Sequence, residues 1–213
     1  VRVESLPVLP CYIVCDESLS MGGHRATVLA VLTELRAGLD AHPAMADRLR
    51  LCVIGFSASA DVLVPLRPWR DFDPPAPRSG TVSSFRVAFT VLRATIERDV
   101  AALVAVSRPV VLFLSDGLPT DPATWPAAHA LLVNPSWPAR PAVVPVAVGD
   151  ADPVTLARVG TTPGPGGAAA ALRELARSMS CPPLVQSGDA PSRRPMSRTR
   201  FDPRGAEAAQ WKS

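Results

Sequence analysis

The chain has 213 residues, enough for one domain with a full hydrophobic core. Apolar residues make up 47% but aromatics only 5%, so the core must be built mainly from Val, Leu, Ala and Ile. The net charge of +3 sits in the last stretch, where six basic and three acidic residues follow Cys181; the body is charge-balanced, which excludes the basic stripe of a nucleic-acid-binding body.

No apolar run approaches the roughly 20 residues of a bilayer span. The opening VRVESLPVLP lacks the basic-then-apolar pattern of a secretory signal, so a cytoplasmic protein is expected. Cys11, Cys15, Cys52 and Cys181 form no CxxC pair and no zinc spacing. Cys11 and Cys15 share a strand face but lie about 13 Å apart at ~3.3 Å per residue, beyond disulfide reach. Buried, reduced thiols are the expectation, as in a reducing compartment.

In chain order, Leu6 to Cys15 is a uniformly apolar strand of the kind covered on both faces, ended by Asp16. Ala26 to Ala41 carries Val28, Leu32, Leu35 and Leu39 at helical spacing, and His42 and Pro43 close it. Leu49 to Phe56 is a second strand. After SASAD, the run Val62 to Leu66 contains Pro65 and reads as an antiparallel edge strand. The Pro-rich stretch from Arg67 to Thr81 must be a surface loop. It leads into a long helix from Ser84 to Val106 with Phe85, Phe89, Leu92, Ile96 and Val100 on its apolar face. Pro109 to Leu114 is a third buried strand, Ala123 to Leu132 a helix, and Ala142 to Val148 a fourth buried strand. Asp152 caps a short helix to Val159 with Pro153 in its first position, and Ala168 to Met179 is the last helix. From Cys181 to Ser213 the composition turns to Pro, Ser, Arg and Gly, which predicts a domain over 1–180 followed by a disordered tail over 181–213.

Alternating helices and strands imply an α/β, Rossmann-like, doubly wound and mostly parallel sheet with one antiparallel edge strand and helices on both faces. Ligands of such sheets bind beyond the carboxyl ends of the strands. Asp16 and Asp116 each stand at such an end. Two carboxylates on neighbouring strands about 4.8 Å apart repel unless one protonates or a cation intervenes. With Ser18 and Ser20 beside Asp16, and no Cys or His ligand, the oxygen-only set suits Mg²⁺ or Mn²⁺. The competing reading of Asp16 and Ser18 is helix capping after a strand.

DESLSM, then Ser79-Gly80-Thr81, then LSDGLPTD over Leu114 to Asp121 resemble, in order and separation, the three loops of the metal-ion-dependent adhesion site (MIDAS) of von Willebrand factor A (VWA) domains. The resemblance covers about Leu6 to Met179 and is greatest to bacterial cytoplasmic VWA proteins of the tellurium-resistance-associated, TerY-like kind. It implies a metal set of Asp16, Ser18, Ser20, Thr81 and Asp116: the serines and threonine hold Mg²⁺ (or Mn²⁺), the aspartates act largely through water, and a partner's Asp or Glu completes the shell. The implied function is a non-enzymatic adaptor that binds a protein partner, with no membrane and no nucleic acid expected from the body. Leu19 stands where the family usually has Gly, and TTPGPGG after Val159 replaces a last strand.

Among enzymes, an aspartate-nucleophile phosphatase needs an acid where Ser18 stands. A serine hydrolase built on Gly55 to Ser59 with His129 lacks the GxSxG turn into a helix. The alternative that stays open is a metal-dependent hydrolase or phosphatase using the same cation to activate water.

Overall fold

The computed structural model describes residues 6–75, 78–162 and 166–185. Strands β1 (Leu9–Asp16), β2 (Leu49–Phe56), β3 (Ala60–Pro68), β5 (Val110–Ser115) and β6 (Ala142–Ala147) form one sheet in the order β3-β2-β1-β5-β6. All neighbours are parallel except β2 and β3. The fold class expected from the alternation of elements is therefore the one observed. Pro65 is exposed on β3, an edge strand that contains register shifts, where a residue without N–H costs the ladder least.

Chain order reverses direction at β1. From there β2 and β3 extend the sheet to one side, and β5 and β6 to the other. Helices α1 (Arg25–Asp40), α2 (Pro43–Arg48) and α6 (Ala168–Ser180) cover one face, where Leu35, Leu39 and Leu175 pack on Cys11, Ile13, Leu51 and Leu112. Helices α3 (Phe85–Ala101), α4 (Trp125–Leu132) and α5 (Pro153–Val159) cover the other, packing on Tyr12, Val14, Ile54 and Phe113. The scarce aromatics gather here: Phe56, Phe85, Phe89, Phe113 and Trp125 make edge-to-face and stacked contacts, with Phe85 and Phe113 4.9 Å apart. Trp125 is 2% exposed in this cluster.

Several boundaries differ from the sequence reading. The long helix ends at Ala101, not Val106; Val104 is 79% exposed and Ala105–Val106 forms a short strand, β4. β4 pairs antiparallel with β7 (Leu184–Val185), and Val106 bridges to Val8. The chain thus remains paired to the body beyond residue 180, and the rest of the expected tail, 186–213, lies outside the described residues. Pro43, expected to close α1, instead opens α2, because proline's missing N–H is harmless at a first helical position. Asp152 caps α5 as expected, accepting from the N–H groups of Val154 and Thr155. Cys11 and Cys52 are buried and Cys15 half-buried, but Cys181 is exposed, contrary to the expectation of four buried thiols.

Candidate functional site

The carboxyl ends of β1 and β5 lie side by side, with Cys15 opposite Leu114, at the point where the strand order reverses. Asp16, the last residue of β1, is 4% exposed. Its Oδ1 accepts from the backbone N–H of Ser18 at 2.9 Å, a local turn typical of Asp after a strand. Its Oδ2 accepts from Ser83 Oγ and Ser115 Oγ, both at 2.7 Å. Burial pushes the Asp16 carboxyl above the ordinary value, against the hydrogen bonds from Ser18, Ser83 and Ser115, which pull it down.

Ser18 is buried, and its hydroxyl shares a hydrogen bond with that of exposed Ser20 at 3.2 Å. Leu19 begins a 3₁₀ turn, Leu19–Gly23, with its side chain 75% exposed. A 3₁₀ turn needs φ of about −50° to −70°, which leucine adopts freely, so the loop closes without the glycine that usually stands here.

On the neighbouring strand, Ser115 Oγ accepts from Gly117 N–H at 3.0 Å while donating to Asp16, joining the first and third loops. Asp116 is 5% exposed; its Oδ1 accepts from Leu118 N–H at 3.0 Å, and its Oδ2 is buried without a hydrogen-bond partner. Gly117 has φ +74°, and a Cβ there would come within 2.8 Å of the Asp152 carbonyl oxygen, so glycine is required.

Thr81 lies on the second loop, exposed, and its hydroxyl has no hydrogen-bond partner among the described residues. This loop is fastened from both sides. Gly80 N–H donates to Glu17 O at 2.6 Å, with Ser57 Oγ where a Cβ would stand, and Thr120 N–H donates to Ser83 O at 2.8 Å. Of the five expected metal residues, hydrogen bonds join Asp16, Ser18 and Ser20 directly, while Asp116 bonds none of them and adjoins the cluster as the chain neighbour of Ser115, which donates to Asp16. Thr81 sits on the adjoining loop without a direct bond to the other four.

Four residues of the site region escaped the sequence reading. Ser83 and Ser115 hold the Asp16 carboxylate, and both stood next to residues that were singled out. Asp121 caps α3 from the third loop, accepting from Phe85 N–H, Arg86 N–H and Ser84 Oγ at 3.1, 2.9 and 2.8 Å. Glu17, its side chain only 9% exposed, accepts from Arg78, which also pairs with Asp61. The SDGLPTD pattern contained Asp121, but nothing local shows that its partner helix begins 36 residues earlier.

The donor chemistry fits a hard cation. Among the described residues no group of three or more His, Cys, Asp or Glu side chains could hold a metal, so any ion here needs the hydroxyls as well. Two carboxylates plus Ser18, Ser20 and Thr81 give an oxygen-only set of the kind Mg²⁺ and Mn²⁺ take with retained water. The buried, unpartnered Oδ2 of Asp116 is an acceptor left for it.

No protein-family profile matches the sequence, and no curated protein does either. Solved structures do. The manganese-loaded TRAP protein of Plasmodium vivax aligns over 84% of this chain and 75% of its own, with 13% identity and a TM-score of 0.57. BatB from Bacteroides thetaiotaomicron aligns over 81% of this chain and 100% of its own, with 12% identity and a TM-score of 0.57. Proximal thread matrix protein 1 from the mussel byssus aligns over 82% of this chain, with 13% identity and a TM-score of 0.56; this chain spans only 46% of that protein. At such identities the likeness concerns the fold alone. The strand order, the single antiparallel edge and the flanking helices, together with these likenesses, give the chain a Rossmann-like fold of the VWA type.

Proposed function

We propose that this domain is a metal-dependent protein-interaction module of the MIDAS type. The observation that carries the reading is the Asp116 Oδ2, a carboxylate oxygen buried without a partner just past the end of β5, the strand beside β1. A buried polar atom left unsatisfied costs about 1–3 kcal/mol, and more when charged, which a bound cation would offset. Ser18, Ser20 and Thr81 would hold Mg²⁺ or Mn²⁺, with Asp16 and Asp116 behind them. When bound, the ion supplies a Lewis-acidic face for an Asp or Glu of a protein partner. The manganese-loaded state of the TRAP protein, a fold neighbour, supports a divalent ion.

The chain's own residues prepare that face. Ser83 and Ser115 hold Asp16 in place, Leu118 N–H and the Gly117 turn aim Asp116, and the Glu17–Gly80 bond sets the second loop against the first. We read the domain as non-catalytic and, with its four free thiols, as a protein of a reducing, cytoplasmic compartment like the TerY-like proteins. No helix among the described residues is long and apolar enough to cross a membrane.

Calorimetric titration with Mg²⁺ and Mn²⁺ tests the reading: wild type binds, and Asp116→Ala loses at least ~10-fold in affinity, about 1.4 kcal/mol, while keeping its far-ultraviolet circular dichroism. Identical titrations of the two proteins would overturn it. A phosphatase and esterase screen with chelator controls tests the non-catalytic part, and chelator-sensitive turnover would reverse it.

A further inference from the structure

Glu17 stands between Asp16 and Ser18, yet its carboxylate bonds neither of them. It lies against Gly55 at the end of β2, where a Cβ would come within 2.5 Å of its Oε2. A carboxylate whose side chain is only 9% exposed needs a partner, and the second loop brings one. Arg78 Nε and Nη2 donate to Glu17 Oε2 at 3.2 and 3.1 Å, and Nη2 also donates to Asp61 Oδ2 at 3.0 Å. Asp61 lies on β3 directly across from Gly55. One guanidinium thus ties the second loop to the first and to the edge of the sheet, a planar fork over two acids that a Lys ammonium does not reproduce.

The tie is placed where it governs Thr81. Gly80 N–H donates to the Glu17 carbonyl at 2.6 Å, so residues 78 and 80 both fasten to Glu17, one through its side chain and one through its backbone. On the far side of Thr81, Ser57 Oγ donates to Val82 O at 2.9 Å and Ser83 Oγ donates to Asp16 Oδ2 at 2.7 Å. Thr81 is the exposed residue between these two sets of bonds, and its own hydroxyl has no hydrogen-bond partner among the described residues. Its position is therefore set by its neighbours. Without Arg78 the covered Glu17 carboxylate has no cation, and it regains water only by displacing the two loops it joins.

We propose that Arg78 is a positioning residue of the candidate cation site: paired with Glu17 and Asp61, it holds the second loop where the Thr81 hydroxyl meets the ion. The proposal rests on the cation reading and adds to it a residue that touches no metal. Two other roles for Arg78 lead to different results. A positive charge acting through space repels a divalent cation, so its removal would tighten binding. A partly exposed ion pair acting on the fold alone would leave metal affinity where it is.

The test is a double-mutant cycle on the full chain, read by calorimetric titration with Mg²⁺. Arg78→Ala should weaken Mg²⁺ binding about 3- to 10-fold while keeping the far-ultraviolet circular dichroism of wild type. Arg78→Lys, which keeps the charge and gives up the fork, should lose only about 2- to 3-fold. Combined with Thr81→Ala, Arg78→Ala should change the affinity by less than about twofold, because the group it positions is gone. Tighter or unchanged binding by Arg78→Ala, or a loss that persists in full beside Thr81→Ala, overturns the proposal and leaves the cation reading standing. Thr81→Ala that binds Mg²⁺ like wild type overturns it as well, by removing Thr81 from the ion. Wild type that binds no Mg²⁺ overturns both. Should Arg78→Ala not fold, Arg78→Lys carries the test, and its loss must likewise disappear beside Thr81→Ala.

Discussion

Asp121→Ala is the substitution that most directly tests how the loops of the site are built into the fold. Asp121 accepts three hydrogen bonds at the start of α3, from Phe85 N–H, Arg86 N–H and Ser84 Oγ, and Ser84 itself makes no capping bond. Loss of a capping carboxylate costs about 0.5–2 kcal/mol, and its charge at a helix N-terminus adds about 0.3–1 kcal/mol. Arg86 is exposed and its N–H can turn to water, whereas Phe85 is fully buried. The expected loss is therefore about 2–3 kcal/mol, the upper half of that combined range. For a chain of this size that is a fall of roughly 5–10 °C in Tm. Urea denaturation followed by circular dichroism should show a lower midpoint with an unchanged slope. Asp121→Asn, which keeps an acceptor, should lose about half as much, and Ser84→Ala less than about 1 kcal/mol. If Asp121→Ala stays within about 0.5 kcal/mol of wild type, or if Ser84→Ala matches it, the helix is capped locally and the argument fails.

Burial, with Arg158 nearby, holds the His129 imidazole below its ordinary 6.5, against the acceptor Val159 O. The unfolded chain therefore takes up a proton before the folded one does. Stability from this group is complete above 6.5 and falls as pH drops through that value toward the lower folded one, so His129→Gln should flatten the stability profile between about pH 8 and pH 5. An NMR titration midpoint at or above 6.5 would contradict this. The thiols of Cys11, Cys15 and Cys52 are pushed up to about 12, chiefly by burial. Ellman's reagent at neutral pH should thus titrate the exposed Cys181 at once and the other three only after denaturation; rapid reaction of more than one thiol in the native protein would refute it.

Much of this architecture can be read from local pattern. Uniformly apolar runs became the central strands, Pro65 marked the edge, and Asp152 with Pro153 began α5 where capping chemistry says it should. What escaped depends on partners distant in the chain. Val104 and Val106 continue the spacing of α3 plausibly, but Val106 is taken by Val8 and Leu184, contacts that no helical periodicity reveals. The six residues from Pro43 to Arg48 are too few to show a repeat, so α2 is hidden in the sequence. At the site, the acids and hydroxyls of the first and third loops were visible as spacings, because each follows its own strand directly. Ser83 and Ser115 acquire their role only when β5 settles beside β1, and Trp125 enters the core only when α4 packs against α3.

The short pairing of β4 with β7 also gives the molecule a usable handle. It lies at the amino ends of β1 and β5, next to Val8, while all three loops of the candidate site crown their carboxyl ends. Cys181 stands at this base, just after α6, whose Ser178 hydroxyl bonds the Arg108 carbonyl there. A maleimide linker placed on that one accessible thiol would fix the protein to a sensor surface with its loops facing outward, in a single orientation and without any engineered tag near the candidate site.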